Sequence, residues 1–322
     1  GLENKVAFRA VGADGKGIKF KGTILNQAND TVARFEPYKF GIGSFNFTPK
    51  EGETYGVLLN DSQKGWFSYS LPTVKEQGYV LQVRESALTL EVTVSARLPQ
   101  NSSSEVYLLA HTKSVPKFTD RKNLADGKTT FQINKNTLGD GITAITLFDA
   151  GQKPVGERLY FKRPAQPLTI TAQSDKKQYN IREKINVDIT STLKSTTPTD
   201  ADLSVSVFLV DSLPAEDPLL IDTYLALTSD LKGTIESPSY YFINTGQEID
   251  QALDNLMLTH GWRRFNWEDI GKKASYSYIP EHSGHFINGK TVNAKTGAPA
   301  RYVATYLAAP GKRAQLYVSR SD

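Results

Sequence analysis

Short runs of period-two alternation, punctuated at regular intervals by turn residues, constrain this chain more than any other feature. Val6-Ala7-Phe8-Arg9-Ala10, Ile18-Lys19-Phe20-Lys21-Gly22-Thr23-Ile24, Ser44-Phe45-Asn46-Phe47 and Tyr55-Gly56-Val57-Leu58-Leu59 each send alternate side chains to opposite faces of an extended backbone. One face of each run can therefore be buried while the other meets water. Gly12-Ala13-Asp14-Gly15, Asn26 to Asp30 and Pro49-Lys50-Glu51-Gly52 separate them, and these residue types supply the dihedrals that tight connections need. Strands recurring every 8 to 12 residues or so are the rhythm of a β-sandwich.

The rhythm returns from Tyr79-Val80-Leu81-Gln82-Val83 through Leu88 to Val94, Val106 to Ala110, Thr130 to Ile133, Ile142 to Phe148 and Arg158 to Phe161, with turns at Asp126-Gly127, Gly139-Asp140-Gly141 and Asp149-Ala150-Gly151. After the linker Pro164-Ala165-Gln166-Pro167, a third round opens at Leu168 to Ala172, Ile185 to Ile189 and Leu203 to Val210. Helix signals then appear. Asp217-Pro218 pairs an N-cap acceptor with a first-turn proline and predicts a helix near 218–228. Thr245 and Glu248 have capping-box spacing, and Ile249, Ala252, Leu253, Leu256 and Met257 form an apolar stripe, predicting a helix from Gln247 to His260 with Gly261 as its stop. β character resumes at Phe286 to Val292 and Tyr302 to Leu307, on either side of a turn at Lys295 to Pro299. The predicted architecture is mainly β: tandem immunoglobulin-like sandwiches with a helical insertion near 217–260. Its segments are 1–71, 72–163, 164–280 and the start of another β domain over 281–322.

At 322 residues, 39% of them hydrophobic, the chain is long enough for several cores and too apolar for disorder. The net charge of +4 comes from interspersed signs, which argues against a nucleic-acid surface. With no cysteine there are no disulfides, thiolate metal sites or cysteine nucleophiles. No apolar stretch approaches the roughly 18 to 20 residues of a membrane helix.

Several stretches, in order, resemble the macroglobulin-type domains of large exported Bacteroidetes proteins, which combine such domains with receptor-like modules of TonB-dependent uptake. They are Val6 to Ala10 with Gly41 to Pro49, Gly141 to Phe161, Asp175 to Tyr179 with Arg182 to Ile185, Asp202 to Val207, and Leu256 to Trp267. Ile287 to Lys290 with Thr296 to Pro299 is similar to the opening of a carboxypeptidase-regulatory-like, transthyretin-like domain. The resemblance implies a piece of a longer exported protein in the periplasm or at the outer membrane. The family's thioester joins a Cys to a Gln, and a chain without cysteine does not inherit that chemistry.

Candidate sites are few. His282 and His285, with Glu281, could ligate a metal or simply form a polar linker. His260 at a helix end suits a cationic ring against the dipole. Gly-x-Ser-x-Gly, HExxH and GxxxxGK[ST] patterns do not occur. The densest aromatic and basic cluster is Trp262, Arg263, Arg264, Phe265 and Trp267. Trp262, Arg263, Arg264 and Trp267 form a candidate interaction surface; alternatively the tryptophans seal the helix onto the third sandwich. Tyr240-Tyr241-Phe242 is expected to pack in the core or at an edge. The functional expectation is a noncatalytic scaffold or interaction segment, without cofactor, catalytic residue or metal, that meets a protein partner in the cell envelope. The alternatives are a glycan- or peptide-binding module tied to nutrient uptake, a protease-interacting macroglobulin relative without thioester, and a hydrolase with two dispersed carboxylates about 5 to 10 Å apart.

Overall fold

The computed structural model describes residues 1–61, 65–165, 168–193, 197–205, 207, 220–243, 245–262, 267–270, 272, 289–309 and 315–321. The chain is mainly β, built from antiparallel sheets with a few short helices. Gly1–Glu268 forms one compact unit and Asp269–Asp322 another.

The first six strands are β1 (Asn4–Arg9), β2 (Lys21–Asn26), β3 (Thr31–Phe35), β4 (Ile42–Phe47), β5 (Tyr55–Asp61) and β6 (Gly65–Ser70). β1 pairs with β4, and the other four form a sheet in the order β3-β2-β5-β6. Phe8 and Phe45 from the small sheet meet Phe35 from the large one and Phe20 just before β2. The rings of Phe8 and Phe35 lie 4.7 Å apart, and Phe35 stacks on Phe45 at 4.7 Å. Gly22 makes room for this cluster, since a Cβ there would stand 2.3 Å from the Phe35 ring. Gly41 takes φ +69 beneath the Ala10 carbonyl, where a Cβ would lie 2.0 Å away.

Seven strands follow: β7 (Gly78–Glu85), β8 (Thr89–Arg97), β9 (Glu105–Thr112), β10 (Val115–Asn123), β11 (Lys128–Asn134), β12 (Gly141–Phe148) and β13 (Pro154–Lys162). They make a sandwich of sheet β10-β9-β12-β13 against sheet β11-β8-β7. Leu90, Val92 and Val94 of β8 point inward by strict alternation and meet Val106, Leu108, Ile145 and Leu147, all essentially inaccessible. β12 departs from alternation, because residues Gly141 through Leu147 are all buried. Its Ile145 and Leu147 belong to the sandwich core, whereas Ile142 and Ala144 face outward into a second cluster.

That second cluster lies under a helical layer. β14 (Leu168–Ser174), β15 (Val187–Leu193) and β16 (Thr197–Pro198) form a three-stranded sheet. Then come α1 (Ile221–Thr223), running into a π-turn at Tyr224–Thr228, α2 (Tyr240–Ile243) and α3 (Gln247–Thr259). Buried Ile249, Ala252, Leu253, Leu256 and Met257 follow the stripe read from sequence. Ala252, Leu253, Leu256 and Met257 pack on Ile142, Ala144, Leu159 and Phe161 of the second sandwich and on Ile42 of β4. Burying each large aliphatic side chain contributes about 1.5–3 kcal/mol, so this stripe is the main tie of the layer to the sheets.

Several sequence expectations are corrected. The start of α3 has no capping box: Gly246, at φ 141, is the N-cap, and no side chain caps it. The helix begins one residue too late for the Thr245 hydroxyl, and Glu248 instead accepts a hydrogen bond from Tyr240. Glu248 and Asp250 complement the dipole in the first turn. At the other end His260 is already extended, and the chain passes into a bridge between Leu231 and Trp262 rather than a left-handed glycine stop. The helix near 218–228 is described from Ile221, where the Ser229 N–H bonds the Tyr224 carbonyl in π fashion at 2.9 Å; Asp217 and Pro218 lie outside the described residues. Of the strand expected over Leu203 to Val210, residues 203–205 and 207 are not in a strand, and the others lie outside the described residues.

In the second unit, β17 (Ala304–Ala309) and β18 (Gln315–Arg320) form a hairpin. The turn expected at Lys295 to Pro299 is present: the Asn293 side chain accepts the Lys295 N–H at 2.9 Å, and Gly297 supplies φ +69.

Candidate functional site

The sequence-derived cluster divides. Trp262 is buried at 8% exposure, its ring 4.9 Å from that of His111 in an edge-to-face contact. Trp267 is half-buried, 4.9 Å from Phe148 and 6.1 Å from His111. Both tryptophans therefore close the helical layer onto the outer face of β9 and β12 in the second sandwich, not onto the third sheet. Trp262, one of the four residues of the candidate interaction surface, thus has its ring covered by the protein itself. Arg263, Arg264 and Phe265 lie outside the described residues, as do Glu281, His282 and His285. Tyr241, 1% exposed, and Phe242 join the core as expected.

Burial sets the electrostatics of this seam. The His111 imidazole is pushed below its usual range by desolvation. His260 is lowered too, first by burial and then by the nearby Arg9 charge. Burial of a ring only 4% exposed thus disfavours the cationic His260 that the helix end suggested. Glu157 exposes much of its side chain, yet its carboxyl is pushed up by desolvation, an effect that its polar neighbours Trp267 and Thr146 partly offset.

The most connected residue is Asp254 on α3. One carboxylate oxygen accepts from Arg158 of β13, whose side chain is 8% exposed, and the other accepts from Lys5 of β1 at 2.7 Å. Beside it, Ser44 of β4 donates to Asn255 at 2.6 Å, and Arg163 donates to Asp250 at 2.6 Å. The preceding segment adds the Thr234 carbonyl, which accepts from Arg9 at 2.8 Å, and the Glu236 carboxylate, which accepts from the Gly17 N–H at 2.7 Å. Residues from 231 to 256 therefore clamp the first sheets to the second sandwich. Sequence reading located the helix but missed the clamp, since charged residues on the flank of a stripe look like ordinary solvated positions.

Surface features outside the clamp are open. A cleft of about 410 Å³ between the first two sandwiches is lined by Leu2, Val6, Phe47, Tyr55 and Leu71, with Glu76 as its carboxylate. A second, of about 720 Å³, is lined by Tyr107, Leu109 and Phe148, with Asp120 as its carboxylate. Neither holds the paired carboxylates that a glycoside-hydrolase mechanism uses. Among the described residues no three His, Cys, Asp or Glu side chains gather as a metal site, and no helix is long and apolar enough to cross a membrane. Strand β6 exposes Trp66, Phe67 and Tyr69 at 64%, 40% and 59%. Its adjacent aromatics hide the alternation by which a strand is read from sequence. Comparison with protein-family models and with curated proteins finds no match.

Proposed function

We propose that this chain is a noncatalytic spacer and interaction segment of a larger exported cell-envelope protein, working in the periplasm or at the outer membrane beside a protein partner. The observation that carries the spacer reading is the clamp: one helix joins β1, β4 and β13 through Asp254, Asn255 and an apolar stripe. Sandwiches joined only by linkers would swing freely, whereas a shared core and a forked ion pair hold them at a fixed separation. The envelope reading is supported by the ordered resemblance to macroglobulin-type and carboxypeptidase-regulatory-like domains. The absence of cysteine makes the test direct. Spin labels attached through Asn29→Cys in the first sandwich and Lys117→Cys in the second should give a single narrow distance distribution, broadened by Asp254→Ala. A broad distribution in the otherwise unchanged chain would refute the rigid spacer.

A further inference from the structure

Outer strands of sheets expose unpaired backbone groups, and proteins usually guard them with charge, proline or bulges. β10 follows this rule, carrying Pro116, Lys117, Asp120, Arg121 and Lys122 and a bulge between Pro116 and Phe118. β6, the outer strand of β3-β2-β5-β6, does not. Its sequence Gly65-Trp66-Phe67-Ser68-Tyr69-Ser70 contains no charge and no proline, and its register with β5 is unbroken. The Leu71 N–H donates to the Tyr55 carbonyl at 2.8 Å. Backbone groups alternate sides along a strand, so Phe67 and Tyr69 turn theirs toward β5, while Trp66, Ser68 and Ser70 turn theirs to the open edge.

We propose that this edge pairs antiparallel with β6 of a second copy of the chain, about a two-fold axis at Ser68, fusing two four-stranded sheets into one. The sequence is self-complementary in that register. Ser68 faces Ser68 of the second copy and Trp66 faces its Ser70, so each outward residue exchanges its N–H and C=O with a partner. Phe67 falls opposite Tyr69 twice, once on each side of the axis, and aromatic cross-strand pairs are favourable. No like charges meet, as they would if an edge such as β10 paired with itself. A six-residue edge buries less than the roughly 1,200 Å² at the low end of stable interfaces, so the dimer is concentration-dependent. This pairing holds whether or not the chain serves as a spacer.

The test is sedimentation equilibrium of the chain over a wide concentration range, together with single-cysteine variants. The mass should rise from one copy to two. Ser68→Cys should form a disulfide dimer under mild oxidation, because facing Cα atoms of a hydrogen-bonded pair lie about 5.5 Å apart, within disulfide range. Ser70→Cys should cross-link at least about tenfold more slowly, its two thiols lying four residues, roughly 13 Å, apart along the strands. Phe67→Lys and Tyr69→Glu should each be monomeric with unchanged circular dichroism. Mixing the two variants should restore a heterodimer, since the ammonium introduced at position 67 of one copy then faces the carboxylate introduced at position 69 of the other. A parent chain that stays monomeric at all concentrations overturns the proposal, including one whose β6 binds only an extended peptide. So does equal cross-linking at 68 and 70, or a dimer that survives Phe67→Lys.

Discussion

Arg158 and Asp254, 96 residues apart in the chain, form an ion pair across the seam between β13 and α3, with the guanidinium almost wholly withdrawn from water. Desolvation alone would lower the Arg158 pKa, and Asp254 opposes that by charge and by hydrogen bonding. The pair is asymmetric, because Asp254 keeps 39% of its side chain exposed and is shared with Lys5.

Removing the acid should therefore do more damage than removing the exposed base. Asp254→Ala leaves Arg158 buried without its carboxylate and should cost about 2–3 kcal/mol, below the roughly 3–5 kcal/mol of a fully buried pair because Asp254 is partly solvated. Lys5→Ala should cost under about 1 kcal/mol. Urea denaturation midpoints at constant slope decide between this asymmetry and equal losses.

Trp262→Ala should act on stability. An indole packed edge-to-face on His111 within a buried apolar cluster leaves a cavity when truncated, with a loss of about 3–5 kcal/mol. A variant as stable as the parent would return Trp262 to the surface.

The protein should lose stability on mild acidification. His111 and His260 have pKa values depressed below 6.5 in the folded state. The unfolded chain therefore binds more protons as pH falls through its own histidine pKa near 6.5, and stability falls with it until the folded-state values are reached. The thermal midpoint should drop between about pH 7 and 5, and His111→Gln should flatten that slope; an unchanged slope would exclude His111 as a contributor.

Gly22→Ala should drive a methyl into the Phe35 ring and cost about 1–3 kcal/mol. Phe35→Leu in the same chain should recover part of the loss, which a double-mutant cycle measures.

The sandwiches were legible because half-buried antiparallel strands advertise themselves by alternation, as Leu90, Val92 and Val94 do. The α3 stripe was legible for the corresponding reason at helical period. What the helix covers was not, since periodicity marks a face and not its partner. A signal did exist: Ile142 to Phe148 is apolar at both parities, with threonine its most polar member, and such runs are buried on both sides. Trp262 was read as either anchor or core, and only the position of His111 on β9 decides it. The β6 edge was missed because Trp66 and Phe67 are neighbours, so no single face is apolar.

The clamp also orders events in time. Lys5 meets Asp254 across 249 residues, so β1 waits for nearly the last part of its unit. Until α3 emerges, Ile142, Ala144, Leu159 and Phe161 present an uncovered greasy surface on an otherwise completed sandwich. Such long-range closure is slow, and its intermediates are sticky. In a chain of this design that surface is closed only when its own helix arrives.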